Sequence, residues 1–392
     1  GPMIPLSEKS GLKNASTTLT PSLKSAPVGV RQATLADVPA LVLLEQQCFS
    51  TDRLTARRFK HYVTSQQAVL LVATSAPPSM LVGYALLLLR RGTQLTRLYS
   101  IAVSPEARGS GVAARLITAL EEQALQRGKP FMRLEVSIDN KGAIALYDRL
   151  GFSPFGMYED YYGDHSDALR MQKRLTSDIK IRQDIYPWYQ QTTPFTCGPA
   201  SLMMALKQLR KSTEMNQRME LDIWRVATTI YMTSGHGGCH PIGLGLAAIH
   251  QGFNARVLIS HALPLFVDGV RSAHKKAVIA HVEEDFYRQA QDKSMPVDIG
   301  AWHLDDIDHA LTANRAVLCL ISTYAFDKKK APHWVVITGA DSLCFYLHDP
   351  DADTHNKMEF QHIPIAKEDF LRLATYGSKK ISALVIIDAK PF

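Results

Sequence analysis

One cysteine in the second half of the chain lies where a reactive thiol is expected. Cys197 separates the polar, proline-broken segment QQTTPFT from the apolar run GPASLMMAL, whose spacing predicts a helix that starts at the cysteine. The helix dipole and the free N–H groups of a first turn favour a thiolate at such a position. A small buried core residue is the structural alternative for a lone cysteine.

A thiolate nucleophile needs a base and a donor for the oxyanion that develops during attack. His333 begins the predicted strand HWVVITG, and Asp349 ends the predicted strand CFYLHDP. A hairpin would therefore bring both side chains to one end of a sheet. Gln191 precedes Cys197 by six residues and is close enough in the chain to reach the same pocket. Together these residues could form a complete nucleophilic site.

The motifs Q-x5-CG-x-A-S, H-[WF]-V-V and H-D-P occur in this order between residues 183 and 388. Their order resembles the papain-like cysteine peptidases that process bacteriocin precursors after a double-glycine leader. The resemblance implies a bacterial protein in which a helix carrying the cysteine packs on an antiparallel sheet. It also implies that Cys197 is the nucleophile, His333 the base, Asp349 the group that orients the base and Gln191 the oxyanion donor. A dedicated precursor peptide is the implied partner.

The chain departs from that family in ways that leave its substrate open. The best understood members are fused to a membrane-spanning ABC transporter, which this chain does not resemble. Thr196 occupies a position where an acidic residue often precedes the Cys-Gly pair, and the stretch from Trp224 to Trp302 is longer than a minimal domain needs. Peptidase, isopeptidase, amide hydrolase, deamidase, transpeptidase and noncatalytic peptide-binding module all remain open.

A second candidate site lies in the first half, in IAVSPEARGSGVAARLITALEEQAL. The pattern predicts a strand, a glycine-rich turn and an amphipathic helix. Small residues leave the N–H groups at the helix start uncovered, and a pyrophosphate fits there. The residues of this turn and of the helix start are Arg108, Gly109, Ser110, Gly111, Val112 and Ala113. A plain strand-to-helix connection has the same pattern, so the turn alone does not distinguish a phosphate-binding site from a structural connection.

The R-x-x-G-x-A pattern of this turn is followed by LEVSIDNKGAIALYDRLGF. Together they resemble the acetyl-CoA-binding core of the GNAT N-acetyltransferase superfamily, and most of all its RimI-type ribosomal-protein alanine acetyltransferases, over about residues 28–175. The resemblance implies acetyl-CoA as cofactor and a protein or peptide amine as acceptor, with an N-terminal amine favoured.

The same resemblance implies individual roles. Glu135 would take the proton of the attacking ammonium group, and Tyr147 would protonate the departing CoA thiolate. Asn140 would hold the pantetheine arm or cap its helix. The backbone of three strand residues would polarise the thioester carbonyl and pair with pantetheine; they are Ile101, Ala102 and Val103.

Structural roles remain open for four of the residues in this half. Glu135 could instead pair with Arg133, and Tyr147 could be a core residue. Tyr161 and Tyr162 could line a groove for a peptide end or simply pack.

Charge and composition narrow the partners. The net charge is +7, of which residues 28–175 carry +5 and residues 176–392 carry none. This balance suits a phosphate-bearing cofactor, and the sequence lacks the basic stripe with interleaved aromatics that would predict a nucleic-acid partner. The apolar run YALLLL is far shorter than the roughly 20 residues of a membrane span, so neither a span nor a membrane partner is predicted. A cytoplasmic location is expected.

The five cysteines form an odd, scattered set without CxxC spacing, which favours free thiols in a reducing compartment. The segment HGGCHP places His236, Cys239 and His240 close together. Its glycines and Pro241 are more typical of a tight turn before a helix than of a metal site, and no metal is predicted.

These patterns predict an α/β (α+β) protein with two domains. Gly1-Pro2 is interpreted as a tag-cleavage scar, and residues 1–27 as a disordered tail. Residues 28–175 are predicted to form the acetyltransferase domain around a mixed central sheet. Residues 176–192 would link it to the second domain and begin that domain, and residues 193–392 would be the papain-like domain. A bifunctional enzyme follows, in which a peptidase exposes an amino terminus that the acetyltransferase modifies.

Overall fold

The computed structural model describes residues 29–176, 184–229, 237–267, 270–322, 332–351 and 360–392. The predicted tail, part of the predicted linker and His236 lie outside these described residues. The chain divides into two compact units, Gly1–Ile185 and Tyr186–Phe392. Each unit has its own sheet and its own hydrophobic core.

The first unit alternates strands and helices, as its apolar pattern predicts. Its elements are β1 (Gly29–Gln32), α1 (Val38–Cys48), α2 (Ala56–Thr64), β2 (Ala68–Thr74), β3 (Leu81–Leu89), β4 (Leu95–Val103), α3 (Val112–Gln126), β5 (Phe131–Ser137), α4 (Lys141–Arg149), β6 (Ser153–Tyr158) and β7 (Ala168–Arg174). The sheet has the order β1-β2-β3-β4-β5-β7-β6. Strands β4 and β5 are parallel, and the other neighbours are antiparallel.

The two faces of this sheet bury different side chains because successive strand residues point to opposite sides. One face packs against α1 and α2, with Leu41 and Phe59 among the buried residues. The other face packs against α3 and α4, where Leu116 and Leu120 follow helical spacing. The strand and the helix predicted on either side of the glycine-rich turn are confirmed as β4 and α3. Helix α2, which begins after the N-cap Thr55, was not predicted.

Strands β4 and β5 pair over only part of their length. The pairing runs from Leu95 opposite Phe131 to Arg97 opposite Arg133, although β4 continues to Val103. In β4 a bulge at Tyr99 interrupts the register with β3. The later half of β4 therefore pairs with β3 on one side and diverges from β5 on the other.

The second unit is built on another seven-stranded sheet. Its elements are α5 (Cys197–Leu209), α6 (Gln217–Ala227), α7 (Pro241–His250), β8 (Asn254–Ile259), α8 (Ala273–Asp292), β9 (Val297–Ile299), α9 (Leu304–Thr312), β10 (Ala316–Ser322), β11 (Pro332–Ala340), β12 (Cys344–His348), β13 (Ile363–Ala366), α10 (Lys367–Leu373) and β14 (Ala383–Asp388). The order is β13-β12-β11-β10-β14-β8-β9. All neighbours are antiparallel apart from β8 and β9.

Helix α5 packs on the middle of this sheet. Its first ten residues are buried, and the Ser201 hydroxyl donates to the Trp334 carbonyl oxygen in β11 at 3.2 Å. The mixed α/β architecture, with a cysteine-bearing helix on a largely antiparallel sheet, confirms the predicted fold class. Over the part of the chain that the structure describes, no helix is both long and apolar enough to cross a membrane.

Candidate active sites

Cys197 is the first residue of α5 and is 9% exposed. Its Sγ accepts a hydrogen bond from the backbone N–H of Trp334, with 3.4 Å between nitrogen and sulfur. This N–H group and the first turn of the helix both direct partial positive charge at the sulfur. The sulfur thus borders the hydrophobic core but also has a polar contact at the helix start.

His333 lies between Cys197 and Asp349. Its Nε2 is 2.6 Å from Asp349 Oδ1, and the imidazole also shares a hydrogen bond with Cys197. Because Nε2 binds the carboxylate, Nδ1 is the nitrogen left for the sulfur. Burial lowers the pKa of His333, but the charges of Asp349 and Cys197 and both hydrogen bonds outweigh it and hold the pKa well above its ordinary value. Both partners therefore favour the protonated imidazolium over the neutral ring.

Register explains this meeting of distant residues. Strands β11 and β12 form a hairpin in which Val336 lies opposite His348, so His333 and Asp349 share one end of the sheet. The backbone N–H of Asp349 donates to the Phe360 carbonyl at 2.8 Å, which fixes the segment that follows β12. The geometry agrees with the hairpin predicted from the sequence.

Gln191 is attached to the same end of the sheet. Its backbone N–H donates to the carbonyl of Pro350 at 3.0 Å, next to Asp349. Its side-chain Nε2 donates to the Thr193 carbonyl at 2.9 Å. An amide nitrogen carries two hydrogens, so this bond orients the group and leaves the second hydrogen for another acceptor.

Two residues that support this site were not singled out in the sequence. Trp334 donates to the sulfur through its backbone, which no side-chain pattern can reveal. Glu220, in the first turn of α6, is fully buried and binds the segment ahead of Cys197. A single acidic residue in a first helical turn is common because it complements the helix dipole. Its presence in the sequence therefore does not indicate that Glu220 supports a functional site.

The HGGCHP segment has a structural role in the residues described. His240 is the N-cap of α7; its Nδ1 accepts from the Ile242 N–H at 3.1 Å, and its Nε2 is 2.8 Å from Glu283 Oε2. Cys239 packs beside Gly198, where an added Cβ would be 3.1 Å from the Cys239 Cβ. Among the described residues, no group of three or more His, Cys, Asp or Glu side chains could hold a metal ion.

The glycine-rich turn of the first unit leaves the start of α3 open. Gly109 and Gly111 have φ values of 81° and 80°, and Gly111 is the N-cap of the helix. A Cβ added at Gly111 would meet no atom within 4 Å. The first-turn N–H groups of Val112 and Ala113 therefore border space that a phosphate group fits. Arg108 Nε donates to the Val103 carbonyl at 3.2 Å, beside this turn, and Ser110 donates to the carbonyl of Ala107.

The diverging part of β4 carries the three residues predicted to contact pantetheine. Ile101, Ala102 and Val103 pair with β3, opposite Ala85, Tyr84 and Gly83 respectively. Alternate backbone groups of a strand point to its other edge, which here borders the divergence from β5. Asn140 is the N-cap of α4, and its Oδ1 accepts from the Ala143 N–H at 3.1 Å.

Glu135 lies in a buried cluster of charges. Its Oε2 accepts from Arg97 Nε at 2.9 Å, and its Oε1 is 3.5 Å from Arg170 Nε. Arg133, which the sequence suggested as a partner, donates to Gln172 Oε1 at 2.5 Å. The carboxylate is held by guanidinium groups from the two strands beside β5.

Tyr147 lies on the other side of β5. It belongs to the same buried cluster as Leu134 and Val136, the strand neighbours of Glu135, and contacts Phe152 edge to face. Burial raises the pKa of the Tyr147 phenol, which keeps its proton. The predicted base and acid therefore face opposite sides of one strand, beside the divergence from β4.

Tyr161 and Tyr162 are both buried. Their rings meet edge to face with centroids 4.8 Å apart, and Arg97 Nη2 donates to the Tyr161 hydroxyl at 2.6 Å. Packing and the Glu135 cluster thus account for these two tyrosines.

Two family matches divide the chain in the same way as the structure. Residues 186–388 match the Peptidase_C39 like family, and residues 40–152 match the acetyltransferase (GNAT) family. The Peptidase_C39 like match falls within the second compact unit, and the GNAT match falls within the first compact unit.

Several solved acetyltransferases are similar to the first unit. The ribosomal-protein-S18-alanine N-acetyltransferase from Escherichia coli is 24% identical and covers 38% of this chain and 94% of its own, with a TM-score of 0.35. Ard1 from Thermoplasma volcanium is 24% identical over 38% and 97% of the two chains, with a TM-score of 0.34. The NatC complex bound to Gag peptide and CoA is 16% identical over 38% and 98%, with a TM-score of 0.34.

Proposed function

Since the chain belongs to the Peptidase_C39 like family and carries a GNAT acetyltransferase domain ahead of that match, we propose that it is a bifunctional enzyme. The second unit is a cysteine peptidase or related amide hydrolase. The first unit is an acetyl-CoA-dependent N-acetyltransferase that acts on a protein or peptide amine. The observation that carries the hydrolase is the 2.6 Å contact of His333 and Asp349, in an imidazole that also contacts Cys197.

The second unit would cleave an amide in two steps. The Cys197 thiolate attacks the carbonyl carbon, and the electron pair of the C=O bond moves onto oxygen. The Gln191 amide and the Cys197 N–H donate to that oxygen. His333 then gives its proton to the departing nitrogen, which leaves an acyl-enzyme. Water attacks the thioester next, with His333 taking its proton, and the C–S bond then breaks to release the carboxylic acid product and the Cys197 thiolate. Asp349 keeps the ring oriented throughout.

The acyl acceptor and the leaving group define the rival reactions. Ammonia as the leaving group makes the reaction a deamidation, and an amine in place of water makes it a transpeptidation. Product masses separate these from hydrolysis. A noncatalytic module that delivers peptides to the acetyltransferase would need no reactive thiol at all.

Alkylation by iodoacetamide tests the hydrolase proposal without a known substrate. Labelling of each cysteine is followed by mass spectrometry from about pH 5 to 9 in the wild type and in His333→Ala. We expect fast labelling of Cys197 at about pH 6, where a free thiol with a pKa near 8.5 is almost fully protonated.

The internal controls are the other buried thiols, and burial raises the pKa of Cys239 and of Cys319. His333→Ala should remove the fast phase of Cys197. Slow labelling of Cys197 in the wild type would instead favour the binding module.

The first unit has the features that an acetyl-CoA site requires. When bound, acetyl-CoA supplies the acetyl group as an activated thioester. The open turn at Gly111 fits the pyrophosphate, and the edge of Ile101 to Val103 that lies beyond the pairing with β5 fits an extended amide-bearing arm. Tyr147 holds a proton at its phenol oxygen, available to a leaving thiolate. Glu135 would accept a proton from the acceptor amine, directly or through water, while Arg97 orients its carboxylate.

Calorimetric titration with acetyl-CoA tests this assignment. We expect saturable binding to the full chain, and transfer of one acetyl group to peptides with a free amino terminus, since the sequence motifs favour that acceptor. A peptide blocked at its terminus but carrying lysine separates the two amine classes. Absence of binding would make the first unit a scaffold.

The two activities suggest an order of reaction. A peptidase releases a new amino terminus from a precursor peptide, and an N-terminal acetyltransferase can use that terminus as acceptor. Tethering both in one chain raises the effective concentration of the intermediate. Mass spectrometry of a cleaved peptide with and without acetyl-CoA checks the order; a cleaved product that is never acetylated contradicts it.

A further inference from the structure

The second unit contains a fully buried carboxylate that the proposed reaction does not use directly. Glu220 lies in the first turn of α6, 23 residues beyond Cys197. Its Oε1 accepts from the hydroxyl groups of Tyr189 and Thr192 at 2.9 and 2.7 Å. Its Oε2 accepts from the backbone N–H of Thr192 and the hydroxyl of Thr196 at 2.8 and 2.5 Å. Both oxygens are thus fully occupied by donors of one short segment.

These donors surround Gln191 and end next to Cys197. Tyr189 and Thr192 lie on either side of Gln191, and Thr196 immediately precedes the nucleophile. The Thr193 carbonyl, which orients the Gln191 amide, lies between the bound residues. Glu220 therefore connects every part of the segment that separates the oxyanion donor from the thiol.

We propose that Glu220 is a positioning residue that holds Gln191 at a fixed distance from Cys197, so that the Gln191 amide meets the oxyanion. This inference rests on the proposed hydrolase function. Glu220 does not touch the reacting atoms; it acts through the backbone of residues 189–196. The neighbouring turn of α6 adds to this support, since Trp224 packs on Phe195 with ring centroids 5.0 Å apart.

A carboxylate is suited to this task because it only accepts hydrogen bonds. The Thr192 N–H can only donate, whereas the three hydroxyl groups can rotate to accept. A glutamine at position 220 would keep the shape but would offer one acceptor oxygen and one N–H donor group in place of two acceptors. Glu220→Gln therefore loosens the segment without opening a cavity.

Two reagents that both react with the Cys197 thiolate can distinguish the positioning of the Gln191 amide from the reactivity of the thiol. Iodoacetamide reacts by displacement at carbon, so iodide leaves and no oxyanion forms. With p-nitrophenyl acetate the sulfur bonds to the carbonyl carbon, an oxyanion forms, and the C–O ester bond breaks to release p-nitrophenolate. Cys197→Ala gives the background to subtract in both assays. The ratio of acylation to alkylation rates then measures oxyanion support alone.

We expect Gln191→Ala to lower this ratio by about 10-fold or more, since one oxyanion donor is worth on the order of 100-fold in optimal substrates. Glu220→Gln should lower it by a similar factor while the alkylation rate and its pH profile stay within about 3-fold of wild type. The matched control is Glu283→Gln, which alters another buried carboxylate of this unit that accepts from a backbone N–H, that of Leu265. Its ratio should equal that of wild type.

The outcomes are distinguishable. A Glu220→Gln ratio equal to wild type overturns the inference, as does an equal fall in both rates, which would mean a general loss of folding or of the thiolate. An unchanged ratio in Gln191→Ala also overturns it, because no oxyanion donor would then need positioning. A wild-type Cys197 that is slow with both reagents contradicts the proposed hydrolase itself.

Discussion

The two candidate sites differ in the groups that form them: one consists of side chains in contact, and the other of openings in the backbone. In the second unit, side chains from three separate elements already contact one another: a helix start, a strand and the end of the next strand. In the first unit, the features proposed to hold acetyl-CoA are openings in the backbone, namely the glycine turn before α3 and the divergence of β4 from β5. A nucleophile must be activated before substrate arrives, whereas a cofactor brings its own activated bond and needs room and orientation.

Buried carboxylates show the same contrast. Glu135 is neutralised by guanidinium groups, and Glu220 is satisfied by hydroxyl and backbone donors. The first pairing balances the charge of the carboxylate that is proposed to take a proton from an ammonium group. The hydrogen bonds of Glu220 fix the segment around Gln191, and the groups of that segment are the ones proposed to contact the substrate. Substitutions that act on one site and spare the other test this contrast.

The largest expected effect is the loss of the thiol. Cys197→Ala should reduce acylation by p-nitrophenyl acetate at this site by about 10³-fold or more, because no other group replaces the nucleophile. Acetyl-CoA binding, measured by calorimetry, should be unchanged. Joint loss of both activities would contradict two independent sites.

Removal of the carboxylate that holds His333 should have the next largest effect. Asp349 raises the pKa of His333, so Asp349→Asn lowers it and the imidazolium is lost at a lower pH. Alkylation of Cys197 at about pH 6 should fall by about 100-fold. A full pH profile checks the sign, since the fast labelling should move towards high pH. A profile that stays in place would show that Asp349 does not tune the base.

In the first unit, Tyr147→Phe removes the proton held beside the divergence of β4 from β5. We expect the rate of acetyl transfer to fall by roughly 10- to 100-fold, the low end for general acid catalysis because a thiolate leaves readily. Acetyl-CoA affinity should not change. Tyr62→Phe, which removes another buried phenol of this unit, is the control. Equal rates for Tyr147→Phe and wild type would leave Tyr147 as a packing residue.

The smallest expected effect is the loss of acetyl-CoA affinity when the open space at the start of α3 is filled. Gly111→Val places a side chain in the space beside the first-turn N–H groups of α3, and we expect acetyl-CoA affinity to fall by about 10-fold. Gly128→Val provides a matched control at the other end of the same helix. Gly128 has a φ of 72° and also has no atom within 4 Å of an added Cβ. Equal losses for both variants would indicate backbone strain rather than a blocked site.

The strands and helices that carry both sites were predictable because their periodicity is local. The apolar run after Cys197 and the paired strands around His333 and Asp349 hold their pattern over short windows. The stretch between α5 and the turn before Pro241 was not assigned, and it contains α6 with Glu220. Helix α6 buries Glu220, Ile223 and Ala227 on one face, and nothing in this spacing shows that the face with the glutamate is the buried one.

The partners of Glu135 could not be predicted from the residues near it in the sequence. The sequence offered Arg133, two residues away on the same face of β5. The structure brings Arg97 from β4 and Arg170 from β7, because strands far apart in the chain are neighbours in the sheet. Cross-strand partners depend on strand order and register, which one strand's sequence does not contain.

The sequence by itself determined the types of reactive group, the elements that bear them and the turn that opens α3, since each follows from residue type and periodicity along the chain. The tertiary structure alone decided two meetings that no local pattern indicates: Glu220 with the segment around Gln191, and Glu135 with two arginines. The physical reason is that a buried polar group must find a partner wherever packing places one, and packing is a property of the whole sheet.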